Sequence, residues 1–219
     1  MINLGILVSG NGTNLQAIID SIEAKRLDAR IKIVISNNPN AYAIERAKKH
    51  HIQVFIINDS HFPAREDCDK HLVELLKSHR IDLVVLAGFM RLLSPLFIKS
   101  FPMKIINIHP ALLPAFPGLH VQKKAVDYGV KFSGCTVHIV DEGVDTGPIV
   151  IQAVVPVHND DTEKTIAQKI LKEEHRIYPQ AIQFFAEERI EIKGRKVVIK
   201  NCSKTEEVLE NPKVEVFIK

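Results

Sequence analysis

The chain is short of cysteine, of charge of one sign and of long apolar runs, and each shortage closes off a class of protein. Its three cysteines, Cys68, Cys135 and Cys202, are odd in number and far apart. They suit neither a disulfide framework nor a metal knuckle. Across 219 residues, 29 Lys and Arg stand against 26 Asp and Glu. The net charge of +3 does not mark nucleic acid or a membrane surface as a partner, although a local basic cluster could hold a small anion. No apolar run approaches the roughly 20 residues of a membrane helix. The start, Met1-Ile2-Asn3-Leu4-Gly5-Ile6-Leu7-Val8, lacks a basic region before its apolar run and a cleavage site after it, so it reads as a strand. The rest is ordinary globular composition, 46% hydrophobic and 25% charged. The expectation is a cytoplasmic monomer or homodimer with no nucleic-acid or membrane partner, built as one large domain or one domain with a small appendage.

Two further absences lie inside the motifs. After the strand Ile2 to Ser9 comes Gly10-Asn11-Gly12-Thr13-Asn14, then a helical pattern of Leu15, Ile18, Ile19 and Ile22. Strand, glycine-rich turn and helix make an anion-binding arrangement, because free N–H groups and the helix dipole favour phosphate. The dinucleotide fingerprint needs a third glycine, where this chain has Leu15. It also needs an acidic residue after the second strand, and Ile31 to Ile35 runs instead into Ser36-Asn37-Asn38-Pro39. Both absences count against a nicotinamide cofactor and favour a lone phosphate. The competing reading is a plain turn with Thr13 or Asn14 as helix cap.

Ala41 to His51 and Arg65 to Arg80 read as helices, and Gln53 to Ile57 as a strand between them. Arg65 opens its helix, where the dipole disfavours a cation; it is either a surface accident or a partner for a ligand carboxylate. Asp82 to Ala87 is a continuous apolar run, the mark of a central parallel strand, broken by Gly88 into Phe89-Met90-Arg91-Leu92-Leu93. Strands alternating with helices make a doubly wound, mostly parallel sheet. After Pro114 the grammar changes: a turn, a helix from Leu119 to Tyr128, and two β-runs, Lys131 to Val140 and Ile149 to Val157, that are close enough to pair antiparallel. A long helix follows from Asp161-Thr162-Glu163 to about Glu188, with Pro179 expected to kink or interrupt it. A hairpin around Gly194 and a tail from Asn201 to Lys219, either an edge strand or a loose extension, complete the chain.

Chemistry concentrates in Ile105-Ile106-Asn107-Ile108-His109-Pro110. On a strand, Asn107 and His109 share a face, and Pro110 ends the ladder, so both project from a strand end. An amide donor beside a proton-exchanging imidazole suits attack on a carbonyl; the bland alternative is a capping Asn and a solvent-facing His. The turn-rich stretch Asp141-Glu142-Gly143-Val144-Asp145-Thr146-Gly147-Pro148 carries three carboxylates. Asp145 is the candidate partner that a catalytic His needs to fix its tautomer or charge. No His or Cys at ligand spacing accompanies these carboxylates, so no metal is expected.

With these pieces placed, the sequence resembles the phosphoribosylglycinamide formyltransferase family, folate-dependent enzymes of purine synthesis. The resemblance spans about Met1 to Gly194 and rests on separated motifs in order: Ser9 to Asn14, Ser36-Asn37-Asn38, Ala87 to Arg91, Asn107 to Pro110 with Leu112-Leu113-Pro114, Phe116 to His120, and Asp141 to Pro148. It implies one formyltransferase domain over residues 1–194, with a nucleotide-binding half to 109 and a folate-binding half after it, and an extension over 195–219. Catalysis would fall to Asn107, His109 and Asp145. Gly12, Thr13 and Asn14 would bind the phosphate of glycinamide ribonucleotide, and Glu174 its ribose or glycinamide end. Arg65, Met90, Arg91, Leu92, Leu93, Asp141, Glu142, Gly143 and Val144 would hold 10-formyltetrahydrofolate as co-substrate. Leu113–Pro114 becomes a candidate cis bond. The reaction implied is direct formyl transfer to the ribonucleotide amine through a tetrahedral intermediate, without metal. Formyltetrahydrofolate hydrolase is the near alternative, expected to carry a regulatory domain before the first strand. Methionyl-tRNA formyltransferase would need more chain after Gly194. A non-catalytic phosphosugar-binding protein would leave Asn107, His109 and Asp145 without a task.

Overall fold

A computed structural model of the chain describes residues 1–203, 209 and 211. Its first half alternates strand and helix: β1 (Ile2–Val8), α1 (Thr13–Glu23), β2 (Ala29–Ser36), α2 (Tyr42–Lys49), β3 (Gln53–Ile56), α3 (Arg65–Ser78), β4 (Leu83–Leu86), α4 (Pro95–Ser100) and β5 (Ile105–His109). Then come α5 (Val121–Tyr128), β6 (Phe132–Ile139), β7 (Ile149–Pro156), α6 (Glu163–Ala186), and the hairpin of β8 (Ile190–Lys193) and β9 (Lys196–Ile199). Seven strands form one sheet in the order β3-β2-β1-β4-β5-β6-β7. The first five are parallel; β6 and β7 join antiparallel, as their close succession implied. Strand order reverses beside β1, so the crevice that an open α/β sheet offers a ligand opens beyond the carboxyl ends of β1, β4 and β5.

Every residue of β4 is buried, because apolar layers cover both faces of the sheet. Leu4, Ile6, Val8, Leu83, Val85 and Ile106 face one layer with α1, α2 and α6. Leu7, Ile33, Ile35, Val84, Leu86 and Ile105 face the other, with Leu72 and Leu76 of α3 and Phe97 of α4. Consecutive residues thus serve opposite cores, which explains strands that read as unbroken apolar runs.

Two elements depart from the sequence expectation. The short helix α4 was not anticipated; it has the start signals of a helix, Ser94 as N-cap and Pro95 after it, but at six residues it is too short to show a period. Helix α6 is not interrupted at Pro179. Pro179 is buried with Ile177, Tyr178, Ala181 and Ile182, and this packing outweighs the lost hydrogen bond. The expected hairpin around Gly194 is present as β8–β9, whose strands pair from Ile190 with Ile199 to Lys193 with Lys196. The tail from Asn201 to Lys219 lies mostly outside the described residues. Within it, the Asn211 side-chain amide donates to the carbonyls of Lys131 at 2.7 Å and Val157 at 2.9 Å.

Candidate active site

β5 delivers Asn107 and His109 to the sheet's carboxyl edge, and antiparallel pairing sets His138 of β6 opposite Asn107 and Thr136 opposite His109. His109 is 4% exposed and His138 2% exposed, so both rings sit in a low-dielectric setting. Nδ2 of Asn107 lies 3.2 Å from Nε2 of His138. Nδ1 of His138 lies 3.0 Å from the Ile139 carbonyl, and its Nε2 stands between Nδ2 of Asn107 and Oδ1 of Asp145, so the Asn107 amide is held against the ring with a second N–H free to donate. His109 meets acceptors on both sides: Nε2 is 2.9 Å from the Phe116 carbonyl, and Nδ1 is 3.4 Å from Oδ2 of Asp145. Two acceptors suit a ring with a proton on each nitrogen.

Asp145 is the centre of this cluster. Its Oδ2 accepts the Gly118 N–H at 2.9 Å, and its Oδ1 lies 3.6 Å from Nε2 of His138. Burial works to raise its pKa, but the His138 contact, the Gly118 N–H and the nearby His109 outweigh burial and hold it below the usual carboxylate value. Its backbone is left-handed, φ 55°, a conformation Asp tolerates better than most residues. The loop from β6 to β7 presents it in this way. Oδ1 of Asp141 accepts from the Gly143 N–H at 3.2 Å and the Thr146 hydroxyl at 2.6 Å. Arg195 of the hairpin turn donates to the Thr146 carbonyl at 2.7 Å. Gly147 passes so close to the Ile139 carbonyl that no Cβ fits. On the other side, the hydroxyl of Thr136 donates to the Ala111 carbonyl at 2.7 Å and accepts from the Leu113 N–H at 3.1 Å, holding the chain at the cis Leu113–Pro114 bond.

The cleft has two lobes. One, of about 620 Å³, lies among Gly88 to Leu92, Asn107 to Pro110 and Gly118 to Gln122; the other, of about 240 Å³, is lined by Arg65, Leu93, His138 and Asp141 to Val144. Asn107 and Asp145 line both. The larger falls within the size range of small-molecule sites. Nine residues expected to hold folate, Arg65, Met90 to Leu93 and Asp141 to Val144, are thereby brought to one cleft beside the three expected catalytic residues. Their settings differ. Met90 and Leu92 are exposed apolar side chains at the rim. Arg91 is committed inward: its guanidinium pairs with buried Asp69, lies 2.9 Å from the Cys68 sulfur and donates to the Arg65 carbonyl at 3.4 Å. It braces the loop through Asp69, which also accepts the Ser94 N–H at 2.6 Å.

Gly12, Thr13 and Asn14 form a second cluster, outside both lobes. Gly12 is the N-cap of α1 with φ 73°, and no side chain caps the helix, so the plain-turn reading with Thr13 or Asn14 as cap does not hold. The first-turn N–H groups of α1 therefore have no side-chain cap, the arrangement in which a helix start can receive an anion. Nδ2 of Asn14 donates to Oε2 of Glu174 at 2.8 Å, joining this loop to α6. Glu174 is 7% exposed, and burial raises its pKa against the Asn14 hydrogen bond. Oδ1 of Asn14 is buried with no hydrogen-bond partner among the described residues, an acceptor that a ligand O–H or N–H would satisfy. One turn further along α6, the Tyr178 hydroxyl reaches the carbonyls of Leu86 at 2.9 Å and Ile106 at 3.2 Å, which keys the helix to the end of β4 and the beginning of β5. Ser9 closes the gap between clusters: its N–H donates to the Gly88 carbonyl at 3.1 Å, and its hydroxyl accepts the Met90 N–H at 2.9 Å.

Sequence reasoning missed His138 and the Phe116 carbonyl. His138 stands within a β-run, and only the strand register places it opposite Asn107. Among the described residues, no group of three or more His, Cys, Asp or Glu side chains could hold a metal ion.

An open α/β sheet that gathers an amide, an imidazole and a carboxylate beyond its strand ends, next to an uncapped helix start, is the frame of an enzyme acting at a carbonyl carbon. Residues 2–182 match the formyl transferase family, and the chain belongs to it. It is 40% identical over 190 residues to the phosphoribosylglycinamide formyltransferase of Escherichia coli, covering 87% of this chain and 90% of that protein. It is 48% identical over 181 residues to the trifunctional purine biosynthetic protein adenosine-3 of Drosophila melanogaster, covering 82% of this chain but 13% of that longer protein. A crystal structure of glycinamide ribonucleotide transformylase 1 from Symbiobacterium toebii superposes with a TM-score of 0.89 at 49% identity, covering 91% of this chain and 94% of that one.

Proposed function

We propose that the protein transfers the formyl group of 10-formyltetrahydrofolate to the primary amine of glycinamide ribonucleotide, releasing tetrahydrofolate, as a step of purine synthesis. The observation that carries this reading is the convergence of Asn107, His109 and Asp145 where the two lobes of the cleft meet. The amine attacks the formyl carbon, the carbonyl π pair moves to oxygen, and a tetrahedral oxyanion forms. The free N–H of Asn107 and the Nε2 proton of His109 donate to it, His109 exchanging the Phe116 carbonyl for the oxyanion. Asp145, ionised and facing Nδ1, stabilises the positive ring while it donates. Collapse of the intermediate expels the folate nitrogen, which takes a proton as the attacking amine loses one, with His109 and Asp145 as the relay. The uncommitted N–H of Asn107 is a donor already in place and costs no reorganisation at the moment of reaction, while His109 trades one hydrogen bond for another.

The ribonucleotide phosphate goes to Gly12, Thr13 and Asn14 at the α1 start, and its ribose or glycinamide end to Glu174 and the unpaired Asn14 oxygen. The folate lies in the cleft between Met90 to Leu93 and Asp141 to Val144, with Arg65 at its rim. The ribonucleotide phosphate thus falls to residues 1–109, while the folate draws on both 1–109 and 110–194 and Glu174 reaches the ribonucleotide from the second half, in a cytoplasmic monomer or homodimer that needs neither nucleic acid nor membrane. No helix among the described residues is long and apolar enough to cross a membrane. A steady-state assay following folate absorbance tests the reading. Turnover that requires the ribonucleotide supports it; deformylation at the same rate without the ribonucleotide, or no reaction by folded protein, refutes it.

A further inference from the structure

We infer that Arg46 of α2 is a positioning residue for the phosphate: it fixes the glycine-rich loop from outside and gives that loop a positive charge no carboxylate neutralises. The inference rests on placing the ribonucleotide phosphate at Gly12 to Asn14.

Arg46 holds the loop at three points. Its Nε donates to the Asn11 carbonyl at 2.9 Å, Nη2 to the Asn11 side-chain oxygen at 3.2 Å, and Nη1 to Oε1 of Gln16, on the first turn of α1, at 3.2 Å. The guanidinium lies 4.9 Å from the Tyr42 ring centroid, so a stacked aromatic limits its swing. The loop packs directly on this helix. The Ala43 N–H donates to the Gly10 carbonyl at 3.1 Å, and a Cβ on Gly12 would stand 2.6 Å from that of Ala43. Asn11 immediately precedes the residues whose N–H groups would receive the phosphate. Gripping both its carbonyl and its side chain sets the direction of the peptides that follow.

Of the other arginines, Arg91, Arg176 and Arg189 meet a carboxylate at ion-pair distance, and among the described residues Arg26, Arg30, Arg65, Arg80 and Arg195 do not; what sets Arg46 apart is that its unpaired guanidinium grips the glycine-rich loop itself. Among the described residues Arg46 makes no such pair, and its partners are neutral carbonyl and amide oxygens. Lys48 and Lys49 share its helical turn and would equally satisfy the α2 dipole, so helix stability alone does not call for a guanidinium reaching the loop. A planar fork that binds two atoms of one residue while keeping its charge open to an adjacent dianion is a property of arginine that lysine lacks.

The test compares wild type with Arg46→Ala, Arg46→Gln and Arg46→Lys in steady state, together with competitive inhibition by inorganic phosphate. Arg46→Ala is expected to raise KM for the ribonucleotide roughly tenfold, as loss of a charge-assisted contact implies, with kcat and KM for formylfolate within about twofold. Phosphate inhibition should weaken in parallel. Arg46→Lys should recover part of the loss and Arg46→Gln none of the charge-dependent part, read as a flattened salt dependence of the ribonucleotide KM. An unchanged ribonucleotide KM in Arg46→Ala overturns the inference. So does a fall in kcat with both KM values and Tm shifting together, which marks a structural role only. If wild type shows no ribonucleotide-dependent turnover, the functional reading fails separately, and phosphate titration by calorimetry decides on Arg46. Weaker phosphate binding in Arg46→Ala keeps the assignment; equal binding, or none by wild type, ends it.

Discussion

His109 faces an acceptor on each ring nitrogen, and Asn107 is turned by His138 so that one amide hydrogen stays free. These are the two donors the account assigns to the oxyanion. Asn107→Ala is expected to lower kcat by about two to three orders of magnitude, with KM for both substrates little changed, the usual cost of one oxyanion donor. Asp145 has a lowered pKa, so its carboxylate remains ionised at every pH above the usual acid range. Asp145→Asn should therefore reduce kcat across the neutral range rather than shift one limb of the pH profile; full activity at every pH would remove Asp145 from the proton path. Glu174 behaves oppositely. Its folded pKa is raised from the ordinary 4.5 by burial, so its contribution to stability is present below that value and is lost as pH rises through the folded one. The Tm of wild type relative to Glu174→Gln should fall as pH is raised from 4 to 8, and a gap that does not change with pH would contradict it. At this scale the sequence exposed Asn107, His109 and Asp145, because donor types, alternation and a following proline are local. His138 stayed hidden because its role comes from a partner strand 31 residues away.

Among the elements, the β6–β7 loop depends on a hairpin outside the stretch that matches the family. Arg195 donates to the carbonyl of Thr146, next to the left-handed Asp145. Arg195→Ala is expected to speed amide exchange at residues 143–147 and to raise KM for formylfolate severalfold while leaving KM for the ribonucleotide unchanged. Unaltered exchange would show that the Asp141 contacts alone order the loop. The parallel strands were legible because burial on both faces writes a continuous apolar run. Helix α4 was not, since six residues carry caps but no period, and Pro179 misled because packing on α6 is invisible from local propensity. The inward commitment of Arg91 to Asp69 was equally hidden: its motif position says nothing of a carboxylate on α3.

For the whole molecule, the sheet's strand order sets where chemistry can occur. Reversal beside β1 opens one edge, and the loops after β1, β4, β5 and β6 all reach that edge. The uncapped start of α1 and the two-lobed cleft at Asn107 are tied together there by Ser9, Asn14, Glu174 and Tyr178. The central claim is that the formyl carbon passes directly from folate to the ribonucleotide amine in this crevice. Supplying 10-formyltetrahydrofolate with an isotopic label in the formyl carbon, together with glycinamide ribonucleotide, tests it most directly. The label should appear in the ribonucleotide product, one for one with tetrahydrofolate released. Label released as free formate, in the presence of saturating ribonucleotide, would contradict it.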